Sequence, residues 1–399
     1  MRVPLLDLSE QYRLLAEPIR SELEEILRTQ SFILGPKVEE FERALASYCG
    51  ARHAIGVSSG TDALLAILMA LGIGPNDAVI TTGYSFFATA SCIARLGARP
   101  VLIDIDPATF NISPAAVSDF LENRCQRNAR NQLTDSAGRV VRAIVPVHLF
   151  GLCCEMDAIN QLAARFSLTV IEDAAQAIGA EYPAADGRVR QAGTMSAAGS
   201  FSFYPSKNLG AAGDAGAIVC DDDELAERFR IFRQHGMEPR YFHQVMGGNF
   251  RLDAIQAAIL KIKLPHLNQW SAARRKVADI YREEFRAHGL TNQVILPAEP
   301  YRSRGLTNHH IYHQYVIRAP QRDALQEHLT GRGIGSAIYY PLGLHEQKCF
   351  KDLGYNPGDL PETERAARDS LALPIYPELT HEMQSEVVTA IAEFLKANG

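Results

Sequence analysis

The sequence has no C-x-x-C pair, no strong excess of either charge, and no apolar run near the roughly 20 residues that span a bilayer. Its seven cysteines are Cys49, Cys92, Cys125, Cys153, Cys154, Cys220 and Cys349, an odd number, several of them inside apolar strand-like runs. They read as reduced thiols of a cytoplasmic protein rather than a disulfide framework. The adjacent Cys153-Cys154 has no second pair at ligand spacing, so no metal site is expected. Lys and Arg number 40 against 46 Asp and Glu, a net charge of −6. That mild acidity argues against nucleic acid as the main partner and against docking on an anionic membrane. A locally basic pocket for a small anion stays open. The opening residues MRVPLLDLSEQYRLL lack the continuous apolar region of a signal peptide. No G-x-G-x-x-G fingerprint occurs, which removes the usual nicotinamide-dependent oxidoreductase. No internal repeat or low-complexity segment is found either.

What is present is an ordinary globular composition, 47% hydrophobic and 22% charged over 399 residues, enough for two domains or one large α/β unit with an appendage. Between about residues 50 and 220, short apolar runs alternate with helical patterns. Ala54–Val57 leads to Thr61–Leu71, Ala78–Thr82 to Phe87–Leu96, then Pro100–Ile105; Ala143–Val147 leads to Met156–Ala164, then Thr169–Ile171. This βα rhythm predicts a mostly parallel sheet covered on both faces. Ser200–Phe203 and Ala217–Cys220 flank a glycine-rich loop and read as strand–loop–strand. Beyond about 250 the pattern changes to two long helices, Leu252–Leu264 and Ala272–His288. A small α+β unit follows, with strands at His313–Arg318 and Ser336–Tyr340 and helices at Asp323–Arg332 and His381–Leu395. The expected division is a large domain over 1–250 and a smaller C-terminal α+β domain over 251–399. Asn123–Arg142, polar and bearing five arginines, reads as a surface insertion that is either a solvated loop or a reach toward an anionic substrate.

Three weaker signals carry chemistry. Ser58-Ser59-Gly60-Thr61 lies between a strand and a helix, where unpaired amides and the helix dipole favour phosphate. A plain N-cap explains the same residues. No lysine follows the glycine, so this is not a Walker A loop. The apolar run ending in Glu172-Asp173 places a carboxylate at the carboxyl end of a parallel strand, where α/β sheets bind ligands. Such a group can pair with a protonated pyridine nitrogen, or merely cap the next turn. Gln176, three residues on, faces the same way in a helical turn. Lys207 follows an aromatic strand and precedes a glycine turn, so apolar surface hems it in; desolvation makes a lysine amine nucleophilic. Ser202 stands at that strand's end with a hydroxyl to offer phosphate.

Taken in order, these residues sit in blocks that resemble the DegT/DnrJ/EryC1/StrS family of pyridoxal-phosphate-dependent nucleotide-sugar aminotransferases. The blocks are PLLDL, SFILGPKVEEFE, SSGTDAL, SFFATA, EDAAQA, FSFYPSKNLG, RQHG, GGNFRLDAIQAAIL, YYPLGLHEQ and LPIYPELT, spread over almost the whole chain. The resemblance implies an aspartate-aminotransferase-like (fold type I) α/β fold and a homodimer with active sites at the subunit interface. It implies Lys207 as the Schiff-base lysine and proton carrier, Asp173 on the cofactor's ring nitrogen, Gln176 on the ring oxygen and Phe86 stacked on the ring. Gly60, Thr61 and Ser202 match the phosphate cradle, and Asn249 matches a phosphate contact donated by the partner subunit. Plain core packing for Phe86 and a turn role for Asn249 remain open. Arg233, Arg240, His313, Tyr340 and His345 are substrate-side candidates. The implied reaction moves an amino group from an amino acid, glutamate in the first instance, to C3 or C4 of a nucleotide-linked keto sugar. Two rivals share the scaffold. A sugar dehydratase has histidine in place of the lysine, and a regulatory protein binds the cofactor without turnover. One departure is visible: Gly213-Asp214-Ala215-Gly216 has Ala215 where the family usually has a second adjacent glycine, which leaves the turn's conformation open.

Overall fold

The strands of the large sheet are apolar on both sides because both sides are covered. In the computed structural model, which describes residues 1–398, the first eleven strands are β1 (His53–Val57), β2 (Asp77–Thr82), β3 (Arg99–Ile103), β4 (Cys125–Arg127), β5 (Leu133–Asp135), β6 (Val140–Val145), β7 (Thr169–Asp173), β8 (Glu181–Pro183), β9 (Val189–Gln191), β10 (Ala198–Ser202) and β11 (Gly216–Cys220). Nine of them make one sheet with the central order β1-β11-β10-β7-β6-β2-β3. The pairs from β10 through β7, β6 and β2 to β3 are parallel, while β11 runs antiparallel to both β1 and β10. Alternation along each strand sorts side chains to two cores. Ala78 and Ile80 of β2, with Ala217 and Val219 of β11, enter one core; Val79 and Ile218 enter the other.

Helices α1 (Ser9–Thr29), α2 (Pro36–Cys49), α3 (Gly60–Ala70), α4 (Ala88–Arg95), α5 (Pro114–Asn123), α6 (Met156–Phe166), α7 (Asp223–Arg233) and α8 (Ala254–Lys263) surround the sheet. The first core joins α2, α5, α6 and α8 to the sheet through residues such as Phe41, Val117, Ile159 and Leu260. The second joins α3, α4 and α7 through Leu64, Ile93 and Phe229. Between sheet and neighbouring helices, α3 has almost no exposed face, which explains its run Ala63-Leu64-Leu65-Ala66-Ile67-Leu68.

The rest of the chain forms α9 (Leu267–Ala287), β12 (Tyr315–Arg318), α10 (Arg322–Gly331), α11 (Pro361–Asp369), β13 (Ser370–Leu373) and α12 (His381–Asn398). Here β12 and β13 pair antiparallel. Their core takes Tyr281 and Phe285 of α9, Leu325, Val387 and Ile391, and also Val3 from the opening segment. Because α8 packs with α1 and α2 while this core begins at Val277 of α9, we propose that α9 is the seam between the two units.

Three expectations need correction. The segment Asn123–Arg142 is not a plain loop: β4 and β5 form a hairpin that β5 joins to β6, with Thr134 and Asp135 buried. Ser336–Tyr340 is not a strand and makes one isolated bridge, Ala337 to Ala372, between Gly335 and Pro341. The second long helix starts five residues earlier than its charge pattern suggests, at Leu267 rather than Ala272, directly after a short 3-10 turn through Pro265. Among the described residues, no helix is long and apolar enough to cross a membrane.

Two close approaches fix the sheet's ligand-facing edge. A Cβ on Gly216 would lie 2.4 Å from the Ser59 carbonyl carbon, and one on Gly60 would lie 2.6 Å from Ser202 Cβ. Strand β11 therefore presses on the turn entering α3 at a point where only hydrogen fits. Gly216→Ala should cost ~1–3 kcal/mol of stability through this overpacking, read as a lower urea midpoint with an unchanged slope.

Candidate active site

The carboxyl ends of the parallel strands, the start of α3 and the turn after β10 surround a cleft of about 560 Å³. Ser59, Gly60, Thr61, Ser85, Phe86, Thr89, Asp173, Gln176, Ser202, Lys207, Ala215, His313, Tyr339 and Tyr340 are among the residues lining it. The strand-end rule for α/β sheets predicts this location.

Asp173 is the last residue of β7. Its neighbour Glu172 points the other way, because successive side chains of a strand alternate. Glu172 is fully buried and accepts hydrogen bonds from Gly193 N (2.7 Å), Met195 N (2.6 Å) and Ser196 Oγ (2.8 Å). His148 Nε2 lies 2.8 Å from it. Since His148 Nδ1 accepts from the Cys154 amide at 3.0 Å, the ring proton sits on Nε2 and is donated to Glu172. Asp173 faces the cleft instead. Its Oδ2 accepts from Thr89 Oγ1 at 2.8 Å and its Oδ1 from Ala175 N at 3.2 Å. Burial raises its carboxyl above the ordinary value; Thr89, Ala175, Lys207 and His148 oppose that rise. The sequence alone left two adjacent acids, and the strand's alternation separates them.

Lys207 is half-buried in the wall of the cleft. Burial pushes its ammonium down to about 8, against the opposing pull of Asp173. Such an amine is largely neutral at mildly alkaline pH and can attack a carbonyl. At the other end of the cleft, Ser59 caps α3 by accepting from Asp62 N at 3.0 Å. The cap does not use up the helix start, because the Gly60 and Thr61 amides belong to the first turn, which has no intrahelical acceptors. Ser202, half-buried on β10, stands against Gly60 with its hydroxyl at the same corner. Phe86 is 61% exposed at the cleft's edge, which excludes plain core packing.

The Gln176 amide is held from both sides. Its Oε1 accepts from Phe150 N and its Nε2 donates to Tyr340 Oη, both at 2.8 Å, which leaves one amide hydrogen for the cleft. Tyr340 is stacked on Phe150 and set edge-on to Tyr84. His313 Nδ1 lies 3.2 Å from Asn208 Oδ1, and Asn208 Nδ2 donates to the Ile311 carbonyl at 2.9 Å. Asn208 therefore accepts, and His313 carries its proton on Nδ1 with Nε2 as an acceptor. Burial, with Lys207 and Arg274 nearby, holds this imidazole well below its ordinary value, so it is neutral. Ala215 is buried and lacks a left-handed φ, so its turn needs no second glycine.

Four candidates lie outside this cleft. Arg233 is buried against Glu42 (2.5 Å) and the Gly56 carbonyl (3.0 Å), tying α7 to α2 and β1. His345 is buried 3.4 Å from Glu364, edge-on to Tyr355. Arg240 is exposed beside the Tyr241 ring. Asn249 is exposed, with its backbone bridged to Gln234. Sequence reasoning named the block SFFATA for Phe86 but passed over Thr89 inside it. Asn208, next to Lys207, and Tyr339, next to Tyr340, were passed over too.

The donor set fits pyridoxal phosphate. A helix N-terminus and a hydroxyl wait where a phosphate would sit, a corner that any side chain at Gly60 would fill. A buried carboxylate and a low-pKa lysine stand where the ring nitrogen and the aldehyde would be. Fold and cleft together define a pyridoxal-phosphate-dependent aminotransferase. The model of the DegT/DnrJ/EryC1/StrS aminotransferase family matches residues 14–392, and the chain belongs to that family. It is 47% identical over 396 residues to a pleiotropic regulatory protein of Geobacillus stearothermophilus, covering 99% of each chain. It is 37% identical over 393 residues to the dTDP-3-amino-3,4,6-trideoxy-alpha-D-glucose transaminase of Streptomyces venezuelae, covering 98% of this chain and 96% of that one. The structure of Bacillus subtilis NtdA with bound cofactor PMP superposes with a TM-score of 0.84 at 31% identity, over 98% of this chain and 85% of that one.

The depressed pKa gives a direct test. Cofactor-free protein should take up pyridoxal phosphate faster as pH rises, with a midpoint near 8, because the neutral amine is the reacting form. Stopped-flow absorbance would follow it; a midpoint near the ordinary lysine value would contradict the burial of Lys207.

Proposed function

We propose that this enzyme transfers an amino group from an amino acid, glutamate in the first instance, to the C3 or C4 keto group of a nucleotide-linked sugar, in the cytoplasm and as a homodimer. The observation that carries this reading is the placement of Lys207 and Asp173 in one cleft, a lysine rather than a histidine following β10. The activity named for the Streptomyces venezuelae relative supports the substrate class.

When bound, pyridoxal phosphate supplies the electron sink that makes an amino acid's α-proton removable. Lys207 would hold its aldehyde carbon, be displaced by the incoming amine, and then carry the proton from the donor's Cα. Asp173 would retain the proton on the ring nitrogen. Gln176, clamped by Phe150 and Tyr340, would direct its remaining N–H to the ring oxygen. Gly60, Thr61 and Ser202 would receive the phosphate, and Phe86 would cover one face of the ring. His313 and Tyr340 would meet the substrate from the C-terminal unit. One site serves donor and acceptor in turn, so the donor's keto acid must leave before the sugar binds.

The dimer is supported by the surface outside the cleft. Exposed Tyr241, Phe242 and Met246 precede exposed Asn249 along one segment, which reads as apolar cover and a polar contact for a second copy. On this reading Arg240 acts in the partner's cleft or not at all. The regulatory name of the Geobacillus stearothermophilus relative keeps one rival in view, a cofactor-binding regulator without turnover.

Adding glutamate to purified holoenzyme should bleach the absorbance of the lysine-bound cofactor, and the right nucleotide-linked keto sugar should restore it. Lys207→Ala should slow the first step on the order of a thousandfold. A bound cofactor that ignores glutamate would favour the regulator.

A further inference from the structure

Asp173 is the group on which the cofactor's ring chemistry depends, yet its carboxylate touches few donors. Among the described residues, Thr89 is the one side chain that donates to it, at 2.8 Å from Oδ2. The other donor is the Ala175 amide on Oδ1. Thr89 is 1% exposed, in the first turn of α4, and lines the same cleft. Its Oγ1 has two other neighbours, Ser85 Oγ at 3.3 Å and the Phe86 carbonyl at 3.4 Å. A hydroxyl has one proton, and the short contact to a charged acceptor takes it. The turn that presents Phe86 to the cleft is thereby tied to the carboxylate at the end of β7.

We propose that Thr89 is a positioning residue that fixes the orientation of the Asp173 carboxylate and keeps the proton on the cofactor's ring nitrogen rather than on Asp173. This rests on the reading that Asp173 meets that nitrogen. A carboxylate that already accepts a hydroxyl proton is a weaker base, so the N–H proton it faces stays on nitrogen. Without the hydroxyl, Asp173 is buried with one donor fewer, becomes more basic and is free to rotate. Other titratable groups facing it cannot replace that bond. Lys207 and His148 act on it only through space. Burial raises the values of Cys92, Cys154 and Tyr340, with Asp173 adding to the rise, so they are neutral neighbours.

The test uses ring-¹⁵N-labelled pyridoxal phosphate bound to wild type, Thr89→Val, Thr89→Ala and Thr89→Ser, with the nitrogen shift followed against pH. Wild type and T89S should show a protonated ring nitrogen across the stable pH range. In T89V and T89A the more basic Asp173 should take a share of that proton, so the protonated-nitrogen shift should be weakened across the same pH range. Their glutamate half-reaction should slow on the order of tenfold with little change in glutamate KM. Should T89V misfold, T89A removes the same hydroxyl without adding a methyl group at the site. The proposal is overturned if both hydroxyl-free variants keep the wild-type nitrogen shift, or if T89S behaves as they do. The nitrogen shift needs no sugar substrate. A holoenzyme that behaves as expected here but never aminates a nucleotide sugar would sink the proposed function and leave the role of Thr89 standing.

Discussion

The buried contact between His148 and Glu172 is the constraint on which the site depends. Two carboxylates occupy successive positions at the end of β7, and only one can face the cleft. Glu172 is placed behind the sheet edge, where an imidazole, two amides and a hydroxyl satisfy it. A buried carboxylate left unpaired would cost several kcal/mol, so these four donors hold the strand's twist in one register. They also tie β7 to the 193–196 turn that leads into β10. With Glu172 anchored, Asp173 has one direction left, into the cleft, and Lys207 follows from β10 at the correct distance to influence it.

The opposite end of the cleft rests on close approach rather than charge. Gly60, Ser202 and Gly216 belong to three different elements and meet where β11 abuts the start of α3. This contact exists because β11 is antiparallel and lies between β1 and β10, so its first residue pairs with Val57 on one side and Ser202 on the other. Strand order thus brings a helix N-terminus, a serine hydroxyl and a lysine-bearing turn to one corner. A phosphate group is the ligand such a corner suits.

The C-terminal unit closes the third side. Tyr340 and His313 project from irregular backbone, not from regular strands, and each is fixed by a partner from a turn that follows a strand of the large sheet: Gln176 after β7 for Tyr340 and Asn208 after β10 for His313. The two units are therefore coupled through the residues that would touch the cofactor and substrate. A shift of one against the other changes the clamp on Gln176 directly.

Local patterning determined much of this protein. The βα rhythm, the both-sided apolar strands and the ordered blocks around Gly60, Asp173, Gln176, Ser202 and Lys207 were legible because each depends on near neighbours in the chain. The substrate-side residues were legible only in part: His313 and Tyr340 line the cleft. Arg233 and His345 lie in conspicuous blocks, yet they are spent on Glu42 and Glu364. Whether a charged side chain meets a ligand or a buried partner is decided by elements far away in sequence. Thr89 was hidden for the same reason: a threonine in a helix's first turn carries no mark until β7 brings Asp173 to 2.8 Å from it. The sequence determined which chemical groups are available and in what order they come. Only the tertiary structure decided which of them share one low-dielectric space, where burial lowers the lysine's pKa and raises the aspartate's while each charge partly offsets the other's shift.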